Sequence, residues 1–467
     1  MTTCITFLGA ARNVTGARFL VAHNDRRVLV DCGMFQERDY RSRNWDPLPF
    51  AVRDLDAVVL THAHVDHCGL LPKLVREGFK GPIWCTPATA DIAQIVLADT
   101  GKIQEEDAVR KQKRHSREGR VGPYGDKALY TAADAANVTP LLNVVGYGSG
   151  VRVAPGVEVT FRDAGHILGS ASVAMNLDRA GKPLSVLFSG DLGRPNAPIL
   201  RDPEPVGAAD YIVIESTYGD RMHRPMESIQ DRLADVVNRT CPKGGCVVIP
   251  SFAVERTQEL LYRLHELLDA KRIPRVPVFL DSPMASSVTE VFRRHPELFD
   301  DDVRDMLVRG VHPCDFPGLR LCRSAEESEA AGNARGAIII AGSGMCTGGR
   351  IKRHIANHIG REASAILFVG YQASGTLGRQ ILDGAPEVRV SGEMYAVKAQ
   401  VTKINGFSAH ADQSELMGWL RTATRAPRRV IVTHGEPDTA VTFGAEVGRQ
   451  LGWETAVPGY GETVALD

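Results

Sequence analysis

Apolar and polar positions follow two rhythms along this chain. Over the first 215 residues the apolar ones gather in short runs, CITFLGA, ARFLVAH, RVLVD, DAVVL, PIWC, VEVTF, ASVAMNL, LSVLFS and YIVIES, mostly closed by Gly, Asp or Pro. Short runs bounded by turn formers predict strands. Helical spacing interrupts them only after residue 67, in GLLPKLVREG, and across roughly 87–118. From about 217 the rhythm becomes a regular alternation. Helical QDRLADVVNR and VERTQELLYRLHELLDA stand between CVVIP, VPVFL, AIIIAG and AILFVG, which predicts parallel βα units. After 395, AVKAQVTKI, a helix near 412–423, RRVIVTH and a last helix resume shorter αβ elements. The expected division is residues 1–216 and 396–467 around a second domain at 217–395. No internal repeat, low-complexity tract or long linker is visible.

Composition narrows the class. The 467 residues suffice for two large domains with real cores, and 43% hydrophobic with 24% charged residues is ordinary for a globular chain. The opening MTTCITFLGAARNVTG has no basic segment followed by an apolar core, and no later run reaches membrane-spanning length. A cytoplasmic protein with no membrane partner is expected. Nine cysteines at irregular spacings without a C-x-x-C argue against a disulfide framework or a zinc ribbon. A net charge of −1 announces no global attraction to polyanions. The one dense basic run, RKQKRHSREGR at 110–120, reads first as a solvated helix, since Glu106 to Arg110 and Asp107 to Lys111 are favourable i,i+4 pairs.

The unusual stretch is Leu60–Pro72, LTHAHVDHCGLLP, which sets His62, His64, Asp66 and His67 directly after the strand-like DAVVL. Folding alone gives no reason for this. Imidazole and carboxylate are the ligands of hydrolytic zinc sites. A strand end and the loop after it can turn His62 and His64 to one metal and Asp66 and His67 to a second. Further candidates end other strand-like runs: His166 in FRDAGHILGS, Asp191 in VLFSGDLG, His434 in VIVTHGE and Asp31 in VLVDCG. His354 and His358 in RHIANHIG have ligand spacing on a helix, but Ile355 stands where a metalloprotease needs Glu, so they read as surface or core histidines.

In order and context these residues resemble the metallo-β-lactamase superfamily, with Asp31, THAHVDH at 61–67, His166 and Asp191 as its first four motifs. The resemblance covers nearly the whole chain and extends to the β-CASP nucleases. IESTYGD at 214–220 is similar to their motif A with Glu215, NGFSAHAD at 405–412 to motif B with His410, and VTHGE at 432–436 to motif C with His434; DSPMA and AGSGMCTGGR are further likenesses. It implies an α/β fold, an αββα sandwich carrying an inserted α/β β-CASP domain of mostly parallel strands. It implies two Zn2+ per chain, with Mn2+ an alternative the ligand set accepts. One ion would sit on His62, His64 and His166, the other on Asp66, His67 and His434, with Asp191 bridging and Asp31 orienting a ligand imidazole. His410 would meet the scissile phosphate and protonate the leaving oxygen, with Glu215 raising its pKa. Ser408 and Ala409, the Gly-rich Ser343 and Gly344, and Arg350 or Arg256 are candidates for phosphate contacts.

The resemblance therefore implies a zinc-dependent ribonuclease acting on single-stranded RNA in a cleft between the domains, as an endonuclease that could also degrade from the 5′ end. His434 favours RNA, because the DNA-repair members usually carry valine in motif C. The form is similar to short prokaryotic relatives of the endonuclease subunit of the pre-mRNA cleavage and polyadenylation complex. A DNA nuclease, a small-molecule hydrolase and a non-catalytic RNA-binding scaffold are the competing readings, and a homodimer is compatible with all of them.

Overall fold

Alternating burial along a strand marks a sheet with one covered face, and unbroken burial marks a sheet covered on both. Both patterns occur in the computed structural model, which describes residues 3–179, 182–223 and 229–467. The chain divides into two compact units, Met1–Met222 with His410–Asp467, and His223–Ala409.

The first unit contains two seven-stranded sheets. In one, Thr463–Ala465, Thr3–Phe7, Phe19–His23 and Arg26–Val30 run antiparallel, and Ala57–Val59, Ile83–Cys85 and Leu142–Val144 continue in parallel. In the other, Gly150–Ala154, Val157–Asp163, Ala171–Leu177 and Leu184–Phe188 run antiparallel, followed in parallel by Tyr211–Glu215, Arg429–Thr433 and Thr455–Ala456. Phe7, Val21 and Val28 of the first sheet share a core with Phe161, Met175 and Phe188 of the second. On its outer face the second sheet packs Ile212, Ile214 and Val432 against Leu416, Trp419 and Phe443 of helices Gln413–Leu420 and Pro437–Leu451. Helices Leu71–Arg76 and Pro87–Glu118 follow strands of the first sheet and bury Leu71, Leu74, Ile92 and Ala93. These layers make the αββα sandwich.

Each apolar run picked out before residue 215 lies on one of these strands. Leu142–Val144, Gly150–Ala154 and Thr463–Ala465 were not expected. All three stand at sheet edges with largely uncovered positions, so they carry no apolar run to read.

The second unit is built on a six-stranded parallel sheet in the order Leu319–Leu321, Val278–Asp281, Ile338–Ala341, Val247–Pro250, Ala365–Phe368, Gln400–Lys403. Its inner strands are buried at every position, with Ile338 and Ile340 in one core and Ile339 and Ala341 in another on the opposite face. Strand Gln400–Lys403, read from sequence as part of the last segment, pairs with Ala365–Phe368 in this sheet. A partner more than thirty residues back leaves no local trace.

The facing of strand Val157–Asp163 gives a direct check. Phe161→Ala, at a position with 0% exposure, should destabilise by about 3–5 kcal/mol, whereas exposed Glu158→Ala should stay within roughly 0.5 kcal/mol. Urea titration followed by tryptophan fluorescence reads the difference.

Candidate metal centre

Several strands of the first unit end at one edge, and their directions explain why. Val157–Asp163, Leu184–Phe188, Tyr211–Glu215 and Arg429–Thr433 all point the same way in the second sheet, as the alternation of antiparallel and parallel pairs requires. Their carboxyl ends release His166, Asp191, Glu215 and His434. In the first sheet the parallel pair Arg26–Val30 and Ala57–Val59 releases Asp31 and the segment from Thr61 to His67. His62 and His64 lie on extended chain, with His64 at the N-cap of the short helix Val65–Cys68, and Asp66 and His67 follow in its only turn.

Asp191, 2% exposed, occupies the middle of this group. Its Oδ2 lies 3.4 Å from His62 Nε2 and 3.6 Å from His166 Nε2, and its Oδ1 lies 3.2 Å from His67 Nε2 and 3.6 Å from His434 Nε2. The carboxylate thus faces two sets of imidazoles, one through each oxygen. His62, His64, His166 and Asp191 form one cluster and Asp66, His67 and His434 another, the ligand atoms within each lying less than 4.8 Å apart.

The donor atoms suit cations. His64 Nδ1 stands 3.1 Å from His62 Nε2 and 3.2 Å from His166 Nε2, and His67 Nε2 stands 3.1 Å from His434 Nε2. Two nitrogens bonded at about 2.0–2.1 Å to one tetrahedral ion would be about 3.4 Å apart, so the spacing fits. Asp191 Oδ1 is buried without a hydrogen-bond donor. Burial, reinforced by the charge of His67, pushes His62 down to about 3. Burial also lowers His64 to about 4 and carries His166 well down, so these rings are neutral and keep their lone pairs at neutral pH.

Groups behind the cluster set its orientation. Asp31, fully buried, accepts from Thr61 N at 2.8 Å and from His67 Nδ1 at 2.8 Å, which turns His67 Nε2 toward Asp191. His434 is held by its N–H, which donates to Ala10 O at 2.7 Å, and by Thr217 Oγ1 at 3.1 Å from Nδ1. Residue type alone does not single out Thr61 or Thr217; their only sequence signal is their place inside the THAHVDH and IESTYGD motifs.

His410 stands beside the centre, its ring centroid 4.5 Å from that of His166, with 22% of its side chain exposed. Its Nδ1 lies 3.1 Å from both carboxylate oxygens of Glu215, which in turn accepts from Leu192 N at 2.6 Å. Burial works against the charged ring. The carboxylates of Glu215, Asp191 and Asp66 outweigh it and push His410 up to about 9.

The remaining sequence candidates fall in the second unit. Arg350 directs Nη1 to Asp281 Oδ1 at 2.6 Å and to Cys322 O at 3.0 Å, and Nη2 to Arg323 O at 3.3 Å, so its guanidinium ties together its own surroundings. Ser343 Oγ accepts from Thr347 N and Gly348 N inside the Gly-rich turn, and Gly344 is buried. Ser408 and Ala409 close the second unit, directly before His410. His354 and His358 are buried and diverge: His354 Nε2 lies 2.6 Å from Asp281 Oδ2, and His358 Nε2 donates to Gly332 O.

Comparison with known proteins finds three family matches along the chain. Residues 16–150 match the metallo-beta-lactamase superfamily, 257–381 the Beta-Casp domain, and 394–458 the Zn-dependent metallo-hydrolase RNA specificity domain. Ribonuclease TTHA0252 of Thermus thermophilus is 37% identical over 459 residues, 98% of this chain and 99% of that protein. Transcription termination factor FttA of Methanocaldococcus jannaschii is 32% identical over 97% of this chain and 70% of its own length, and that of Pyrococcus horikoshii 33% over 99% and 71%. A crystal structure of a protein of unknown function from Enterococcus faecalis V583 superposes with a TM-score of 0.55 over 100% of both chains at 12% identity, a likeness of fold alone. The chain belongs to the metallo-β-lactamase superfamily and, within it, to the β-CASP ribonuclease group.

Proposed function

We propose that this protein is a metal-dependent ribonuclease that hydrolyses phosphodiester bonds of single-stranded RNA, with two divalent ions, zinc in the first instance, held in the first unit. The observation that carries the reading is Asp191, whose two oxygens face separate imidazole sets. His62, His64 and His166 would hold one ion, Asp66, His67 and His434 the other, and Asp191 both. A bound pair of divalent ions supplies Lewis-acid activation of water near neutral pH and positive charge against an anionic phosphodiester. RNA as substrate is supported by the match to an RNA specificity domain and by the ribonuclease relative.

The chain's own groups then have separable tasks. Asp31 holds the Nδ1 proton of His67, so that with an ion bound Nε2 would be its ligand atom, and Thr217 performs the corresponding service for His434. Glu215 holds His410 by Nδ1 and stabilises its charged form. A charged His410 attracts a phosphate oxygen, and its Nε2 is the atom assigned to protonate the departing oxygen. Without that proton the leaving group departs as an alkoxide, a far less stable anion.

Asp191→Asn should lower zinc bound per chain, read by atomic emission, and reduce cleavage of end-labelled RNA by at least about a hundredfold. Chelation of the parent should do the same, with zinc or manganese restoring cleavage. Parent-like cutting by Asp191→Asn would overturn the assignment. His410→Ala should keep its metal yet lose about 10²–10⁴ in rate. Sulfur in place of the leaving oxygen, which needs no proton, should recover most of that loss.

A further inference from the structure

The parallel sheet of the second unit has a point where its connections part. From Val247–Pro250 the chain moves two places to one side, to Val278–Asp281, and after Ile338–Ala341 it crosses to Ala365–Phe368 on the other side. In open α/β sheets, ligands lie beyond the carboxyl ends of the strands at such a point. Three loops leave the sheet there, and they carry Phe252, Gly344 and Gly370.

These loops meet on one aromatic ring. A Cβ on Gly344 would come within 2.6 Å of the Phe252 ring, and one on Gly370 within 3.3 Å, so glycine backbone forms the seat on which the ring lies. Gln372 joins two of the loops, its Nε2 donating to Gly344 O at 2.9 Å and Gly370 O at 3.4 Å. Thr257 Oγ1 donates to Phe252 O at 2.6 Å. Just beyond, Glu255 takes φ 62° and ψ −55° in a tight turn closed by Arg256 N to Val254 O at 2.8 Å, a strained conformation.

Despite this anchoring, 39% of Phe252 is exposed, and Tyr371, next to Gly370, is 63% exposed. A large apolar side chain seated so firmly and left partly in water is a pre-organised contact surface. Flat aromatic faces fixed in place take unpaired nucleobases by stacking, a contact open to any base.

Building on the ribonuclease reading, we infer that Phe252, with Tyr371 on the adjoining loop, is a base-stacking site for single-stranded RNA in the second unit. The site adds binding energy by stacking on a base. Ser343 and the Gly-rich turn serve it by shaping the seat of the ring.

The test uses phosphorothioate-linked single-stranded RNA, which resists cleavage, with 2-aminopurine placed at successive positions. The parent should quench 2-aminopurine at one position. Phe252→Ala should abolish that quenching and weaken binding about 5- to 150-fold, the range of one base stack. Phe252→Trp should restore both. Removing the base at the quenched position should weaken the parent and leave Phe252→Ala little changed. Undiminished binding by Phe252→Ala, equal losses with and without the base, or a changed oligomeric state would each overturn the site. If the parent cuts normal RNA while Phe252→Ala binds undiminished, the stacking site alone falls. If the parent neither binds nor cuts RNA, the ribonuclease reading falls with it.

Discussion

A carboxylate buried to 2% exposure is costly unless positive charge or polar partners offset it, and Asp191 has four imidazole nitrogens within 3.6 Å. The arrangement around it follows from that requirement. The four facing rings come from three separate stretches of chain, and His62 and His67 reach the carboxylate only because the first sheet ends its strands at the same edge as the second. The many buried positions of the core between those sheets thus serve to hold a small polar cluster in place.

Neutral rings and charged rings are separated within a few ångströms. Burial keeps His62, His64 and His166 neutral, as metal ligation demands, while Glu215 charges His410 beside them. One residue type performs two chemistries because each ring has a different second partner. The interior threonines and Asp31 extend this logic outward, since a ring whose distal nitrogen is already engaged cannot turn its proton inward.

The second unit follows another principle. Its sheet is covered on both faces, so the loops beyond the carboxyl ends of its strands are where side chains remain available for a ligand. Glycines at 344 and 370 matter there for what they leave out, because the ring of Phe252 occupies the space of their missing side chains.

Legibility followed the reach of each interaction. Strand runs, the helices at 87–118 and 256–269, and the crowding of His62, His64, Asp66 and His67 could be read directly, because periodicity and local spacing are properties of neighbouring residues. The motifs also singled out His166, Asp191, His410 and His434 as candidates. The resemblance already implied Asp191 between the two ligand sets, but that Thr217 would stand behind His434 and that Arg350 would be engaged by Asp281 could not be read there. Nor could the place of Gln400–Lys403, or the glycine seat under Phe252. The sequence by itself determined the elements, their class and the stock of chemical groups. Which groups meet, and through which atom, was decided by the pairing of strands far apart in the chain, because distances of a few ångströms between remote residues depend on sheet register and packing and on nothing local.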